Sequence, residues 1–182
     1  LLMPLGMLDS TFRLDEVPEA SRVWGQARRF GFLRDLPPTW DRAFAPAAGL
    51  QTNAADLSRF VRALLAASEG LDDGVLSPEM LRTLTTVRVE GDGDDAAIAY
   101  GWEVMDTAYG TRWQLAAGAG GIDSLVSVYP QAGFGIILMG NRAGWPREHL
   151  EQQLAQRVAT TDVCPRHPPV DVAQPLPSQV RD

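Results

Sequence analysis

The periodicity of apolar residues changes from helical to strand-like near Asp95, and this change constrains the fold more than any other sequence feature. Before it, one segment has apolar side chains at i, i+3, i+4, i+7 and i+8, the spacing of an amphipathic helix: Leu57, Phe60, Val61, Leu64 and Leu65. After it, short apolar runs are separated by turns that contain Gly or Pro. The first half of the chain is therefore predicted to be helical and loop-like, and the second half to be built from strands.

The ends of two helices are marked by capping residues. Asn53 can accept hydrogen bonds from free amides of a first turn, and Asp56 lies three residues later, where the positive end of the helix dipole favours a carboxylate. Gly70 marks the end of this helix. A second helix is predicted over residues 77–84, with a serine as N-cap and Pro78 at the first helical position, where its missing N–H costs nothing.

The region between Pro18 and Pro46 has no sustained periodicity. Its Pro-containing clusters, such as residues 34–38, predict a long irregular connection with one short helix near Ser21 to Arg28.

Two antiparallel hairpins are predicted after the change in periodicity. The first joins residues 98–107 to residues 112–117, and the second joins residues 124–129 to residues 134–139. The last strand is nearly all apolar, which is expected when both faces are covered. Pro146 then opens a C-terminal helix.

These elements predict one domain over residues 1–160, followed by a Pro-rich, polar, disordered tail over residues 161–182. No run of eighteen apolar residues is present, so no membrane-spanning segment is predicted. A net charge of −7 argues against nucleic acid and acidic membranes as partners, because both bind clustered cations. Cys164 is the single cysteine, so the chain has no internal disulfide and its cysteine content indicates no compartment.

Six sequence blocks in order resemble the β-lactamase-like serine hydrolases, which include class C β-lactamases, penicillin-binding-protein-like peptidases and related esterases. They are residues 4–12 with Pro4-Leu5-Gly6-Met7, 47–60, 76–80 with Leu76-Ser77-Pro78-Glu79-Met80, Tyr100-Gly101-Trp102, 124–130 and 133–142. The resemblance covers about residues 1–160. It implies an incomplete α+β fold: an antiparallel sheet with flanking helices packs against an all-helical region, of which this chain holds a part at its N-terminus. The active site lies between the two.

The chain lacks the family's first two catalytic motifs. That family uses a nucleophilic serine in Ser-x-x-Lys and a Tyr-x-Asn or Ser-x-Asn motif, because serine needs an adjacent base. All sixteen cationic residues here are arginine, so the first motif is absent. Tyr100, Tyr109 and Tyr129 are followed two places later by Trp, Thr and Gln, so the tyrosine motif is absent too. In the family both motifs precede the Pro-Leu-Gly-Met block, so the resemblance implies that this chain is the C-terminal half.

The third family motif, Lys-Thr-Gly or His-x-Gly, has a degenerate counterpart on the sheet edge. With one deletion, Ala116-Ala117-Gly118 takes its place; without the deletion, Leu115-Ala116-Ala117 does. A methyl group cannot polarise a carboxylate or support proton transfer, which puts activity in doubt. The resemblance implies that the N–H of Ala119 helps to form an oxyanion hole. The alternative is that residues 116–121 are only a tight strand and turn.

Other candidate residues are better explained without catalysis or metal binding. Ser124 lacks the second glycine of a nucleophile elbow and is interpreted as a strand serine, and His149 as a surface or helix-packing residue. Residues 164–167 hold half of a zinc ligand pattern, and residues 90–95 lack the ligand positions of an EF-hand. We therefore expect no metal site and no cofactor.

Two functional hypotheses follow. In the first, the chain is the C-terminal portion of a β-lactamase-like serine hydrolase and is inactive alone, with a small-molecule or peptide substrate when completed. In the second, it is a non-catalytic binding domain of the same fold. In the family, strands from the N-terminal part pair beside the last strand, so Phe134 to Met139 are expected to form an open edge that invites strand pairing.

Overall fold

The computed structural model describes residues 1–38, 47, 49–72, 74–92 and 96–161. The predicted tail after residue 161, the cysteine motif at 164–167 and part of the acidic turn at 90–95 lie outside these residues. None of the helices in this described part combines the length and the apolar character of a membrane-spanning helix.

The N-terminal region holds a hairpin where a helix was predicted. Two short 3-10 helices, Leu14–Glu16 and Glu19–Ser21, precede strand β1 (Gly25–Arg29) and strand β2 (Phe32–Leu36). The prediction of a helix near Ser21 to Arg28 is therefore wrong. The irregular connection predicted between Pro18 and Pro46 is wrong for residues 25–36, which form this hairpin, and residues 39–46 of that region lie outside the described residues.

A two-residue turn explains this hairpin. Arg29 and Phe32 form the last cross-strand pair, so only Phe30 and Gly31 connect the strands. Both have positive φ, 49° and 86°, as type I′ turns require. Phenylalanine seldom adopts this conformation, which hides the turn from sequence reasoning.

Both predicted helices in the central region are confirmed. Helix α1 (Ala54–Ser68) begins after Asn53, whose side chain accepts from the Asp56 amide at 2.8 Å. Helix α2 (Pro78–Thr85) begins after Ser77, whose hydroxyl accepts from the Met80 amide at 3.1 Å. Each cap satisfies an amide that has no partner within its helix.

A five-stranded antiparallel sheet forms the other half of the fold. Its strands lie in sequence order: β3 (Ala97–Ile98), β4 (Glu103–Thr107), β5 (Gly110–Ala119), β6 (Ile122–Tyr129) and β7 (Phe134–Gly140). The two predicted hairpins are β4–β5 and β6–β7. Residues 98–107 were predicted as one strand, which is wrong: they hold the antiparallel pair β3 and β4, and the chain reverses between them at Gly101, whose φ is 76°. The other strand boundaries are shifted by a few residues. Sequential order follows from short turns between antiparallel neighbours.

The two faces of the sheet are covered by different helices. Helix α1 packs on one face, where a core cluster includes Leu64, Trp113 and Val128. Helix α3 (Arg147–Thr160) packs on the other face, where Phe134 and Ala155 are buried together. Because β7 contacts both helices, its nearly continuous apolar sequence is explained.

Strand β7 is the last strand of this sheet. Its residues pair with β6 on one side, from Asp123↔Gly140 to Tyr129↔Phe134. No other described strand pairs with it, so its second side is an edge within the part of the chain that the structure describes.

Candidate functional site

Strand β5 extends beyond its neighbour β4, and this overhang carries the candidate site. Pairing between β4 and β5 ends at Glu103↔Gln114. The remaining residues, Leu115 to Ala119, pair with β6 alone among the described strands. Main-chain N–H and C=O groups that point away from β6 along this overhang are therefore available to an added extended chain.

The side chains of the overhang are small or apolar and carry no charge. Leu115, Ala116, Gly118 and Ala119 are exposed, and Ala117 is half-buried. Alternation along the strand places Leu115, Ala117 and Ala119 on the α1 face with Trp113, and Ala116 and Gly118 on the α3 face. The two alignments of the sheet-edge motif thus put its first residue on opposite faces. Neither supplies a cation or an imidazole.

The turn after the overhang is fixed by the N-terminal hairpin. Gly120 and Gly121 connect β5 to β6, with φ of 57° and 79°. The Gln26 amide donates to the Gly121 carbonyl at 3.1 Å. A Cβ on Gly25 would lie 1.9 Å from the Gly120 carbonyl oxygen, so only glycine permits this approach. Sequence reasoning missed this contact.

A second set of contacts attaches the same hairpin to the end of β7. The Ala143 amide donates to the Gln26 carbonyl at 2.9 Å, and the Asn141 side-chain amide donates to the Trp24 carbonyl at 3.4 Å. The Asn141-Arg142 pair, interpreted from the sequence only as the end of a strand, therefore also holds the hairpin. This role of Asn141 could not be predicted from the sequence, because Trp24, which accepts its hydrogen bond, lies 117 residues away.

An ion pair supports the overhang from the α3 face. Asp123 lies opposite Gly118 in the β5–β6 register, and its carboxylate contacts the guanidinium of Arg147 in the first turn of α3. A Cβ on Gly118 would be 3.0 Å from an Asp123 carboxylate oxygen. The small residue at position 118 therefore leaves room for this carboxylate.

The structure gives Ser124 and His149 ordinary structural surroundings. Ser124 lies on β6 opposite Ala117, and its hydroxyl donates to the Ala117 carbonyl at 3.4 Å. His149 is exposed on α3, where its ring lies 3.1 Å from the Gln153 side-chain amide. No group of three or more His, Cys, Asp or Glu side chains that could hold a metal occurs among the described residues.

Solved structures with a similar fold identify the architecture of this chain. A class C β-lactamase mutant superposes with a TM-score of 0.69 at 16% identity, covering 86% of this chain and 50% of that chain. An octameric penicillin-binding protein homologue from Pyrococcus abyssi gives 0.69 at 19%, with 87% and 36% covered. A class C β-lactamase in complex with cefoxitin gives 0.67 at 15%, with 86% and 51% covered. The fold is the α+β fold of the β-lactamases and penicillin-binding-protein homologues.

The family follows from a sequence profile described as beta-lactamase, which matches residues 1–161. The chain belongs to the β-lactamase family. No curated protein matches it. The chain spans about half the length of the class C β-lactamase structures it resembles, 50% and 51% in the two cases above.

Proposed function

We propose that this chain is the C-terminal portion of a β-lactamase-like serine hydrolase, which cleaves an amide, β-lactam or ester through an acyl-enzyme. The observation that carries this proposal is the overhang of β5 beside β4, in a chain of the β-lactamase family. An edge strand with small side chains lets a ligand approach the main chain closely. In this role Ala116, Ala117, Gly118 and Ala119 bind substrate through their backbone.

The Ala119 N–H is the proposed oxyanion donor. A backbone donor stabilises the charge that develops on a tetrahedral intermediate, and it acts without rearrangement when its position is fixed beforehand. Contacts of the Gly120–Gly121 turn with Gly25 and Gln26 supply such fixation immediately after Ala119. The proposed donor therefore depends on geometry and not on the side chain at position 119.

The chain alone is proposed to be inactive. The printed sequence contains no lysine and no Tyr-x-Asn, so it offers Ser124 no adjacent base of the family type. Completion requires segments that supply both motifs, and the free side of β7 is where strands of those segments pair in this proposal. Substrate is then a small molecule or a peptide.

A non-catalytic binding domain is the second candidate function. It is favoured by one observation: neither Leu115 nor Ala116 can replace the sheet-edge cation, since both side chains are hydrocarbon. In this reading the overhang still binds an extended ligand through its backbone, but the complete protein does not turn it over.

The coding sequence upstream of Leu1 provides the first test. If the upstream sequence encodes Ser-x-x-Lys followed by Tyr-x-Asn, it supports the hydrolase proposal. An open reading frame without these motifs contradicts that proposal. The chain by itself is expected to leave a chromogenic cephalosporin and a nitrophenyl ester intact and to resist labelling by a fluorophosphonate. Stoichiometric labelling of any serine in this chain would contradict the proposal.

Assays of the completed protein separate the two candidates. The hydrolase predicts product formation from one of these substrate classes, together with covalent fluorophosphonate labelling of the Ser-x-x-Lys serine. The binding domain predicts saturable binding of the same compounds with no product and no acyl-enzyme by mass spectrometry.

A further inference from the structure

The sheet face under helix α3 carries a buried group of polar side chains. Arg112 and Gln114 project from β5, and Ser127 and Tyr129 project from β6 on the same face. Gln114 lies directly opposite Ser127 in the register. All four side chains are buried.

Charge in this group is balanced by one residue of α3. Glu151 is fully buried and accepts from an Arg112 guanidinium nitrogen, Nη1, at 3.2 Å and from the Tyr129 hydroxyl at 2.6 Å. A second guanidinium nitrogen, Nη2, lies 3.5 Å from the sulfur of Met105. The guanidinium and the carboxylate therefore neutralise each other inside the fold.

Three buried polar atoms of the group have no hydrogen-bond partner among the described residues. They are Arg112 Nε, Gln114 Oε1 and Ser127 Oγ. Buried polar atoms in folded proteins are nearly always paired, either with protein groups or with an ordered water. The three unpaired atoms belong to side chains on one face of two adjacent strands, so a single small molecule between these side chains can pair with all of them.

We infer that Arg112, Gln114 and Ser127 bind one internal water molecule between the sheet and α3. Buried waters typically make about three hydrogen bonds to groups of this kind. Arg112 Nε–H donates, Gln114 Oε1 accepts, and the Ser127 hydroxyl does either. A water molecule can accept the first bond, donate the second and complete the third in either direction.

The spacing of the strands suits a bridging molecule of this size. Side chains directly opposite in an antiparallel pair have Cβ atoms about 4.5–5.5 Å apart. Alternate residues on one strand are about 6.8 Å apart. Two polar atoms that bond the same water at about 2.7–3.2 Å lie within about 6.4 Å of each other, so side chains from neighbouring positions at these spacings can converge on one water.

Other small ligands fit the group less well. An anion would meet the Glu151 carboxylate, and a cation would meet the Arg112 guanidinium, because these two charges lie 3.2 Å apart. An apolar molecule would leave all three atoms unpaired. Water alone satisfies the donor, the acceptor and the hydroxyl without adding charge.

A crystal structure of the protein at a resolution that shows ordered water tests the site. We expect a density peak within about 3.2 Å of Arg112 Nε, Gln114 Oε1 and Ser127 Oγ. A structure in which Ser127 donates directly to Gln114 and no water is present would overturn the inference.

Replacement of Ser127 by valine provides the matched variant. Ser127→Val fills the space of the hydroxyl with hydrocarbon, so the water is expected to be lost and the count of long-lived waters by magnetic relaxation dispersion to fall by one. Ser124→Val is the control, because Ser124 lies on the other face of the same strand and should leave the count unchanged. An unchanged count in Ser127→Val would overturn the assignment. If that variant does not fold, the wild-type density decides.

Discussion

The backbone amide of Gln26 donates to the carbonyl oxygen of Gly121 at 3.1 Å. This bond joins a hairpin near the N-terminus to the turn that ends the candidate site strand, 95 positions later in the sequence. The hairpin is therefore part of the support of the proposed oxyanion donor, although it supplies no side chain to it.

Replacement of Gly25 by alanine tests this support. The added Cβ would lie 1.9 Å from the Gly120 carbonyl oxygen, so the hairpin or the turn must move. We expect a loss of about 1–3 kcal/mol in the free energy of unfolding, the usual cost of overpacking. Urea denaturation measures the loss, and amide chemical shifts of residues 119–121 should change with it.

Gln26→Ala is the matched control for Gly25→Ala. Gln26 bonds to Gly121 through its backbone, and its side chain donates to the exposed Asp35 carboxylate. The control should change stability by less than about 0.5 kcal/mol. Equal effects of the two substitutions would contradict the close-approach explanation.

Glu151→Ala should destabilise the protein strongly. The substitution leaves the Arg112 guanidinium buried without its carboxylate partner. Breaking a buried pair by removing one partner typically costs about 3–5 kcal/mol. Thermal and urea unfolding measure the change, and Glu148→Ala on the exposed side of the same helix should stay within about 0.5 kcal/mol. A small effect of Glu151→Ala would mean that α3 does not depend on this pair.

Alkaline pH should destabilise the fold through Tyr129. Burial, and then its hydrogen bond to Glu151, raise the pKa of Tyr129 above its ordinary value of 10.0. The folded chain therefore keeps a proton that the unfolded chain releases, so this contribution is complete below pH 10 and declines as the pH rises further. Stability measured between pH 8 and about pH 11 should fall less steeply in Tyr129→Phe than in the wild type. Parallel curves for the two proteins would refute the assignment.

A charge on the free edge of β7 should reduce self-association of the isolated chain. Met139 is 45% exposed on this strand, and open apolar edges pair with other chains. Sedimentation velocity at rising concentration should show association that Met139→Lys weakens. Met3→Lys is the control, since Met3 is 80% exposed and lies outside the sheet. A monomer at all concentrations in the wild type would argue against an available edge.

The elements with strong local signals could be predicted from the sequence. The caps at Asn53 and Ser77 act within three residues of their partners, and the strands after Asp95 follow the apolar alternation. The β1–β2 hairpin could not be predicted in this way, because Phe30 has an uncommon positive φ and the strands carry no alternating pattern.

The support of the candidate site is also beyond local sequence reasoning. Two contacts show this: the close approach of Gly25 to Gly120, and the Arg112–Glu151 ion pair. Each joins residues that are far apart in the chain, and no local sequence motif marks either contact. The site residues themselves, Ala116 to Ala119, were identified only through resemblance to a family. Their role is a prediction, which the substrate assays of the completed protein test.

The difference in length between β4 and β5 limits how much of an extended chain can pair with the free side of β5. Five residues of β5 lie beyond the last β4 partner, which at about 3.4 Å per residue is a span of about 17 Å. An extended chain that adds to this side would meet the start of β4 at Glu103, so only a short stretch of it can pair. A ligand of the proposed site would therefore be selected by the length of chain that pairs with the overhang and not by its side chains.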